Sequence, residues 1–304
     1  MKELYIGIIQ MKVTDDKEKN IRKAEGMIKE SVMAVSSIVR DRSKFSKKTD
    51  EFLQEEMVKR PELVILPEMF NCPYQSDLFP EYAEEEGGYT YQHLSRIARE
   101  NQIYLVGGSI PEREDDMIFN TSYIFNREGE RIGKHRKIHL FDIDIEGGQT
   151  FKESDTLSSG NNIEVVETEI GKIGIIICYD LRFPELSRLL VNRGAELIVV
   201  PGAFNMTTGP AHWEILFRTR ALDNQVFMLG AAPARDEDSS YVSYGNSIVV
   251  DPWGRVLNKL DKEEGIIVET INIELLEKIR EELPLLKHRR TDLYDLKEIS
   301  GFSG

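Results

Sequence analysis

Short apolar runs, rich in β-branched residues and bounded by turn formers, recur along this chain, each too short to be a helix. YIGIIQ (residues 5–10), LVILPE (63–68), IYLVGGSI (103–110), NTSYIFN (120–126), KIGIIIC (172–178), ELIVVPG (196–202), VFMLGAAP (226–233), GNSIVV (245–250) and GIIVETINI (265–273) read as strands. Amphipathic spacing predicts helices over Asn20 to Val39, Tyr91 to Asn101, Glu185 to Arg193 and Trp213 to Asn224. The order repeats. GIIQ, LVILPE, LVGGSIPE and NTSYIFNREGERIGK in the first half answer GIIIC, LIVVPG, MLGAAPAR and GNSIVVDPWGRVLNK in the second. Two βαβ-based halves, each with helices on one sheet face, bury what remains by stacking their sheets, which predicts an α/β fold with four α-β-β-α layers. The whole chain, 1–304, reads as one domain. A densely charged stretch at about 36–59 interrupts the first half without apolar periodicity, and an arm at about 283–304 leaves the repeat to wrap the body or a neighbouring subunit.

Composition narrows the function classes. The formal net charge of −14 disfavours nucleic acid and anionic membrane surfaces as partners. Only two cysteines occur, Cys72 and Cys178, without CxxC spacing, and no apolar run reaches membrane-spanning length or reads as a signal peptide. Disulfide scaffolds and structural zinc are therefore disfavoured, and a reducing, cytoplasmic location is expected. Five histidines show no ligand spacing.

The asymmetry between the halves locates chemistry. Cys178 ends an apolar strand, and Pro184 opens a helix that Gly194 closes, so the thiol sits near a helix N-terminus, where backbone N–H groups and the dipole favour a thiolate. Taken alone, Cys178 reads equally well as a core-filling cysteine. Aligning the halves sets Gln10 opposite Cys178, and Glu68 opposite Gly202. Glu68 follows a buried strand, at the carboxyl end where α/β proteins place their sites, although a solvated loop carboxylate fits as well. Lys137 lies in a basic run that would ordinarily face water, but Ile138, Leu140 and Phe141 around it point it inward. A cysteine, a glutamate and a lysine together supply nucleophile, general base and oxyanion stabiliser for acyl transfer.

The segments around these residues, LPEMFNCPY, HRKIHLFDID and ICYDLRFPEL, resemble the Glu-Lys-Cys segments of the nitrilase-like carbon–nitrogen hydrolases, and the resemblance runs along nearly the whole chain. HLFDID, FKESDTLSSG, PGAFNMTTGPAHWE, RTRALDNQVF, PARD and DPWG narrow it to the ω-amidase branch. The resemblance implies a homodimer or larger homo-oligomer, no cofactor or metal, and hydrolysis of the terminal amide of short 2-oxo dicarboxylic acid monoamides through a cysteine thioester. It casts Glu68 as proton acceptor, Lys137 as oxyanion stabiliser and proton donor, Cys178 as nucleophile and Glu153 as a second glutamate against the lysine; Glu153 also reads as a surface carboxylate beside Lys152. The Tyr179 N–H is expected in the oxyanion hole. For the substrate, Arg182 is placed to grip a distal carboxylate, unless it pairs with Glu185, and Phe204, Thr207 and Thr208 are placed to close the pocket. Cys72 is assigned to packing or pocket lining, Trp213 to the core, and His139 and His212 to supporting hydrogen bonds. A deaminated-glutathione amidase or an N-carbamoyl amino acid hydrolase would use the same three residues with a larger pocket.

Overall fold

In a computed structural model of the chain, residues 3–40, 60–146 and 150–299 are described, with side chains left aside over 34–40. Fifteen strands are described: β1 (Glu3–Gln10), β2 (Leu63–Ile65), β3 (Tyr104–Val106), β4 (Ile110–Glu114), β5 (Met117–Phe125), β6 (Arg131–Arg136), β7 (Asp142–Asp144), β8 (Thr150–Lys152), β9 (Val165–Thr168), β10 (Gly171–Ile175), β11 (Leu197–Pro201), β12 (Phe227–Ala231), β13 (Ile248–Val250), β14 (Val256–Lys259) and β15 (Gly265–Asn272). The helices are α1 (Lys17–Arg40), α2 (Phe79–Tyr82), α3 (Tyr89–Asn101), α4 (Pro184–Asn192), α5 (Gly209–Asn224) and α6 (Glu274–Glu282).

One sheet runs β15-β1-β2-β3-β5-β4, with β6 also on β5; the other runs β14-β13-β12-β11-β10-β9. Each has a parallel core, β1-β2-β3 or β10-β11-β12, as crossover connections carrying helices allow. Alternation sorts the strand residues. Ile6, Ile8 and Ile65 of the first sheet meet Ile173, Ile175, Val199 and Leu229 of the second in one buried cluster between the sheets. The outer face of the first sheet packs Val64, Leu105 and Phe125 on Ile21, Ile28, Leu94 and Ile97 of α1 and α3. On the second, Ile198, Val200 and Met228 pack on Leu186 and Leu190 of α4 and on Trp213 and Phe217 of α5. These are the four layers expected from the repeat.

The repeat extends to turn chemistry. In the β5–β6 hairpin, Asn126 Oδ1 accepts from the N–H groups of Glu128 and Glu130 and Gly129 has φ +80°; in the β13–β14 hairpin, Asp251 Oδ1 accepts from Trp253 and Arg255 and Gly254 has φ +79°. Both hairpins also shift register just before the turn. The strand register corrects one equivalence. Gly7 opposite Val64 corresponds to Gly174 opposite Ile198, so Met11, not Gln10, occupies the place of Cys178, while Glu68 and Gly202 correspond as expected. Gln10 holds the sheet edge instead, donating to the carbonyls of Asp261 and Glu263 and accepting from the Ser247 N–H.

The run IYLVGGSI is two strands rather than one. A Cβ at Gly108, where φ is +59°, would lie 2.1 Å from the Pro67 carbonyl oxygen, so the chain turns there and β4 pairs back on β5. The charged stretch at about 36–59 lies, beyond residue 40, outside the described residues. The arm, described through residue 299, runs past the C-terminal end of α4, where Arg289 donates to Asn192 and Arg193 pairs with Glu298.

Candidate active site

Two residues just beyond the carboxyl ends of strands β2 and β10 have left-handed backbone. Cys178 has φ +47° and Met69, immediately after Glu68, has φ +49°. Such conformations cost non-glycine residues on the order of 1 to 3 kcal/mol and persist only where the surroundings over-determine them. At Met69 the clamp is Ser109, whose hydroxyl accepts from the Met69 N–H at 3.1 Å and whose carbonyl accepts from the Phe70 N–H. At Cys178 it is Asp180. The chain after β10 enters a 3-10 turn over Cys178–Arg182, and the buried Asp180 carboxylate accepts from the Ile177 N–H at 3.1 Å and the His139 N–H at 2.8 Å. The rings of His135 and His139 complete its shell at 3.3 and 2.8 Å. Burial alone would raise the Asp180 carboxyl; the two histidines hold it well below the usual carboxylate range. Asp180 thereby ties the cysteine turn to the segment that carries Lys137.

Glu68, Lys137, Glu153 and Tyr74 form a buried cluster. The Lys137 ammonium lies 2.8 Å from Glu153 Oε1 and 3.1 Å from Glu68 Oε1, with all three side chains fully buried. Tyr74 donates to Glu153 at 2.6 Å, Asn120 Nδ2 donates to Glu68 Oε1 at 2.8 Å, and the Ala203 N–H donates to Glu68 Oε2 at 2.8 Å. The second Glu153 oxygen takes the Phe141 N–H at 2.7 Å. The basic run around Lys137 thus does not face solvent at that residue, and Glu153 is not a surface carboxylate.

The electrostatics follow from this burial. Desolvation would lower the Lys137 ammonium, but the carboxylates of Glu153 and Glu68 outweigh it and hold the lysine charged. Glu68 is raised by burial and by Glu153, against the pull of Lys137. The Cys178 thiol, hydrogen-bonded to Glu68, is pushed well above its ordinary value by burial and then by that carboxylate. This runs against the expectation of a thiolate stabilised by a helix N-terminus: burial and the neighbouring carboxylate favour the neutral thiol. The Glu68 carboxylate and the Cys178 thiol are thus direct neighbours.

A small cavity opens beside the thiol, lined by Cys178, Tyr179, Arg182, Phe204, Thr208 and Tyr241, with Phe141 at its edge. Thr207 is exposed and does not line it. Arg182 is not paired with Glu185; among the described residues its guanidinium has no carboxylate partner. It donates instead to His212 Nδ1 at 2.9 Å and lies over the Phe204 ring, 4.6 Å from its centroid. Cys72 is buried against Met69, and Trp213 is fully buried. Among the described residues no three His, Cys, Asp or Glu side chains are grouped to hold a metal ion. Sequence reasoning missed Asp180, Asn120, Tyr74 and Tyr241. For Asn120 the signal is a polar step, Asn120-Thr121-Ser122, inside the otherwise apolar and buried strand MIFNTSYIF.

Comparison with known proteins places this geometry. The family model described as carbon-nitrogen hydrolase matches residues 5–281. An omega-amidase of Xenopus tropicalis is 45% identical over 298 residues, covering 98% of this chain and 99% of that protein. The omega-amidase of Mus musculus is 44% identical over 297 residues, with the same coverage of each chain. Among solved structures, a Saccharomyces cerevisiae member of branch 10 of the nitrilase superfamily aligns with a TM-score of 0.78 and 38% identity, over 95% of this chain and 97% of that one.

Proposed function

The chain belongs to the carbon–nitrogen hydrolase family, and from that premise we propose that it is an omega-amidase, releasing ammonia from the terminal amide of 2-oxoglutaramate and 2-oxosuccinamate. The observation that carries this reading is the buried Glu68–Lys137–Cys178 cluster opening on a small cavity lined by Arg182, whose guanidinium has no carboxylate partner among the described residues.

Glu68 takes the thiol proton as Cys178 Sγ attacks the amide carbon and the C=O electron pair moves to oxygen. That oxyanion meets the Lys137 ammonium and the N–H of Tyr179, which lies in the first turn of the 3-10 segment and so has no acceptor within that helix. The proton passes to the amide nitrogen, the C–N bond breaks, and ammonia leaves behind a thioester. Water then gives its proton to Glu68 and attacks the thioester, the C–S bond breaks, and Cys178 regains its proton as the acid departs. Glu153 and Tyr74 keep Lys137 aimed and charged throughout.

Because Glu68 and Cys178 are direct neighbours, they titrate as a pair. The competent state holds one proton between them, and it is lost when acid protonates Glu68 as well. With the Glu68 carboxyl raised, kcat/KM is expected to fall on the acid side at a pH above the ordinary glutamate value of about 4.3. The raised thiol keeps the activity through neutral pH. A pH profile whose acid limb lies at or below the ordinary glutamate value contradicts this assignment.

Arg182 grips the carboxylate distal to the amide. The cavity has a free volume of about 10 Å³, enough for roughly one water, so any amide substrate, short or long, enters with movement of the lining side chains. Arg182→Ala is expected to raise KM for 2-oxoglutaramate about 10- to 100-fold, as the loss of a charge-assisted pair implies, with little change for a neutral amide of the same length. Equal effects on both reject the grip. A panel of 2-oxoglutaramate, 2-oxosuccinamate, glutamine, deaminated glutathione and an N-carbamoyl amino acid, scored by ammonia release, tests the substrate class.

The reading extends to assembly and location. A homodimer would bury the solvent face of α5, where Ile215 and Leu222 are exposed beside Trp253. Two unbridged thiols suit the cytoplasm. Among the described residues no helix is long and apolar enough to cross a membrane.

A further inference from the structure

The reaction cavity is too small to hold an acyl group and pass ammonia or water beside it. Both must nevertheless reach Glu68: ammonia leaves while the acyl chain is still bound to Cys178, and the hydrolytic water enters before that chain departs. A second, larger cavity, about 370 Å³, reaches Glu68 without touching Cys178. Tyr241 and Ala203 line both cavities and form the partition between them. The partition is fastened on each side of Ala203, whose carbonyl accepts from the Tyr241 hydroxyl and whose N–H donates to Glu68.

The walls of the larger cavity are chemically one-sided. Asp15, Asp236 and Asp238 line it, and of these only Asp236 meets a cation, Lys12 at 3.6 Å. Asp15 and Asp238 have no lysine or arginine partner among the described residues. Ser243, which lines the same cavity, is 6% exposed and its hydroxyl has no hydrogen-bond partner among the described residues. A buried, orphaned hydroxyl in a polar cavity of this size calls for a small polar guest. An acidic wall attracts ammonium and repels the anionic substrate and the dicarboxylate product.

We propose that this cavity is a separate route for the small reactants, admitting water to Glu68 and discharging ammonia as ammonium while the acyl chain still occupies the Cys178 side. The proposal rests on the thioester chemistry above. It accounts for the lack of free space beside the thiol and for the acidic wall, neither of which the amide chemistry itself requires.

Ser240 lines this cavity at an exposed position, away from the reacting groups. Ser240→Trp should block it, and Asp238→Lys should reverse the charge of its wall. In rapid-quench single turnovers with 2-oxoglutaramate, Ser240→Trp is expected to form thioester at close to the unmodified rate and to hydrolyse it about tenfold more slowly. Hydroxylamine added as a competing small nucleophile should be excluded along with water, leaving the thioester long-lived in its presence. Asp238→Lys should slow ammonia release without altering KM. The proposal is overturned if thioester formation slows in step with its hydrolysis, because the cavity is then the substrate's entrance. It is equally overturned if neither step changes in either variant. Failure of the unmodified protein to form a thioester from 2-oxoglutaramate would instead reject the substrate reading, and the same variants would then be assayed on the amide it does accept.

Discussion

Cys178→Ala is expected to abolish ammonia release, lowering kcat by about five to six orders of magnitude, as removal of a nucleophile does elsewhere. The structure gives no second thiol that could substitute. Cys72 is buried against Met69 and its thiol is pushed far above the ordinary range by burial, so it stays protonated and inert. The folded state should survive the change. The left-handed turn at residue 178 is held by Asp180 and its four hydrogen-bond donors rather than by the thiol, and alanine leaves only a small space beside a cavity that already exists. The measurement is ammonia release together with urea unfolding. Activity within about a hundredfold of the unmodified protein would remove Cys178 from the chemistry, whereas loss of activity accompanied by loss of folding would leave its role to be read from Cys178→Ser.

Some of this site was legible in the sequence because strand ends can be read there. Glu68 and Cys178 each follow a run of apolar β-branched residues, and such runs fix where a strand stops. Lys137 was legible from its apolar flank. Glu153 was not: it follows β8, whose sequence TFK has half-exposed and exposed positions and no apolar period, and it reaches the lysine only through tertiary folding, so it was recognisable through family resemblance alone. Edge strands were lost for a related reason. β6 (RIGKHR) and β14 (VLNK) alternate with polar residues because one face is solvated, and the pattern falls below that of the buried central strands. The thiol's protonation state could not be read locally either, because it depends on a carboxylate 110 positions away in the chain and on complete burial.

Lys137→Ala is expected to damage catalysis less than loss of the nucleophile and to damage the fold far more. Loss of an oxyanion donor costs about 10²- to 10³-fold in kcat, and here the same change removes the cation that stands between two buried carboxylates. Glu68 and Glu153 would then face each other across the vacated space with Tyr74 as their remaining shared donor. Breaking a buried ion pair by deleting one partner costs roughly 3 to 5 kcal/mol, so the unfolding free energy from urea titration should drop by an amount of that order. The cost should depend on pH in a definite direction. Without the lysine the Glu68 carboxyl, already raised by burial, loses the cation that lowers it, and a raised carboxyl binds its proton more tightly folded than unfolded, so stability is regained as pH falls and lost as pH rises through the raised value. The gap between Lys137→Ala and the unmodified protein should therefore be wider at about pH 8 than at about pH 5. A gap independent of pH would mean that the two carboxylates do not sense the lysine, and the buried cluster would lose its electrostatic explanation.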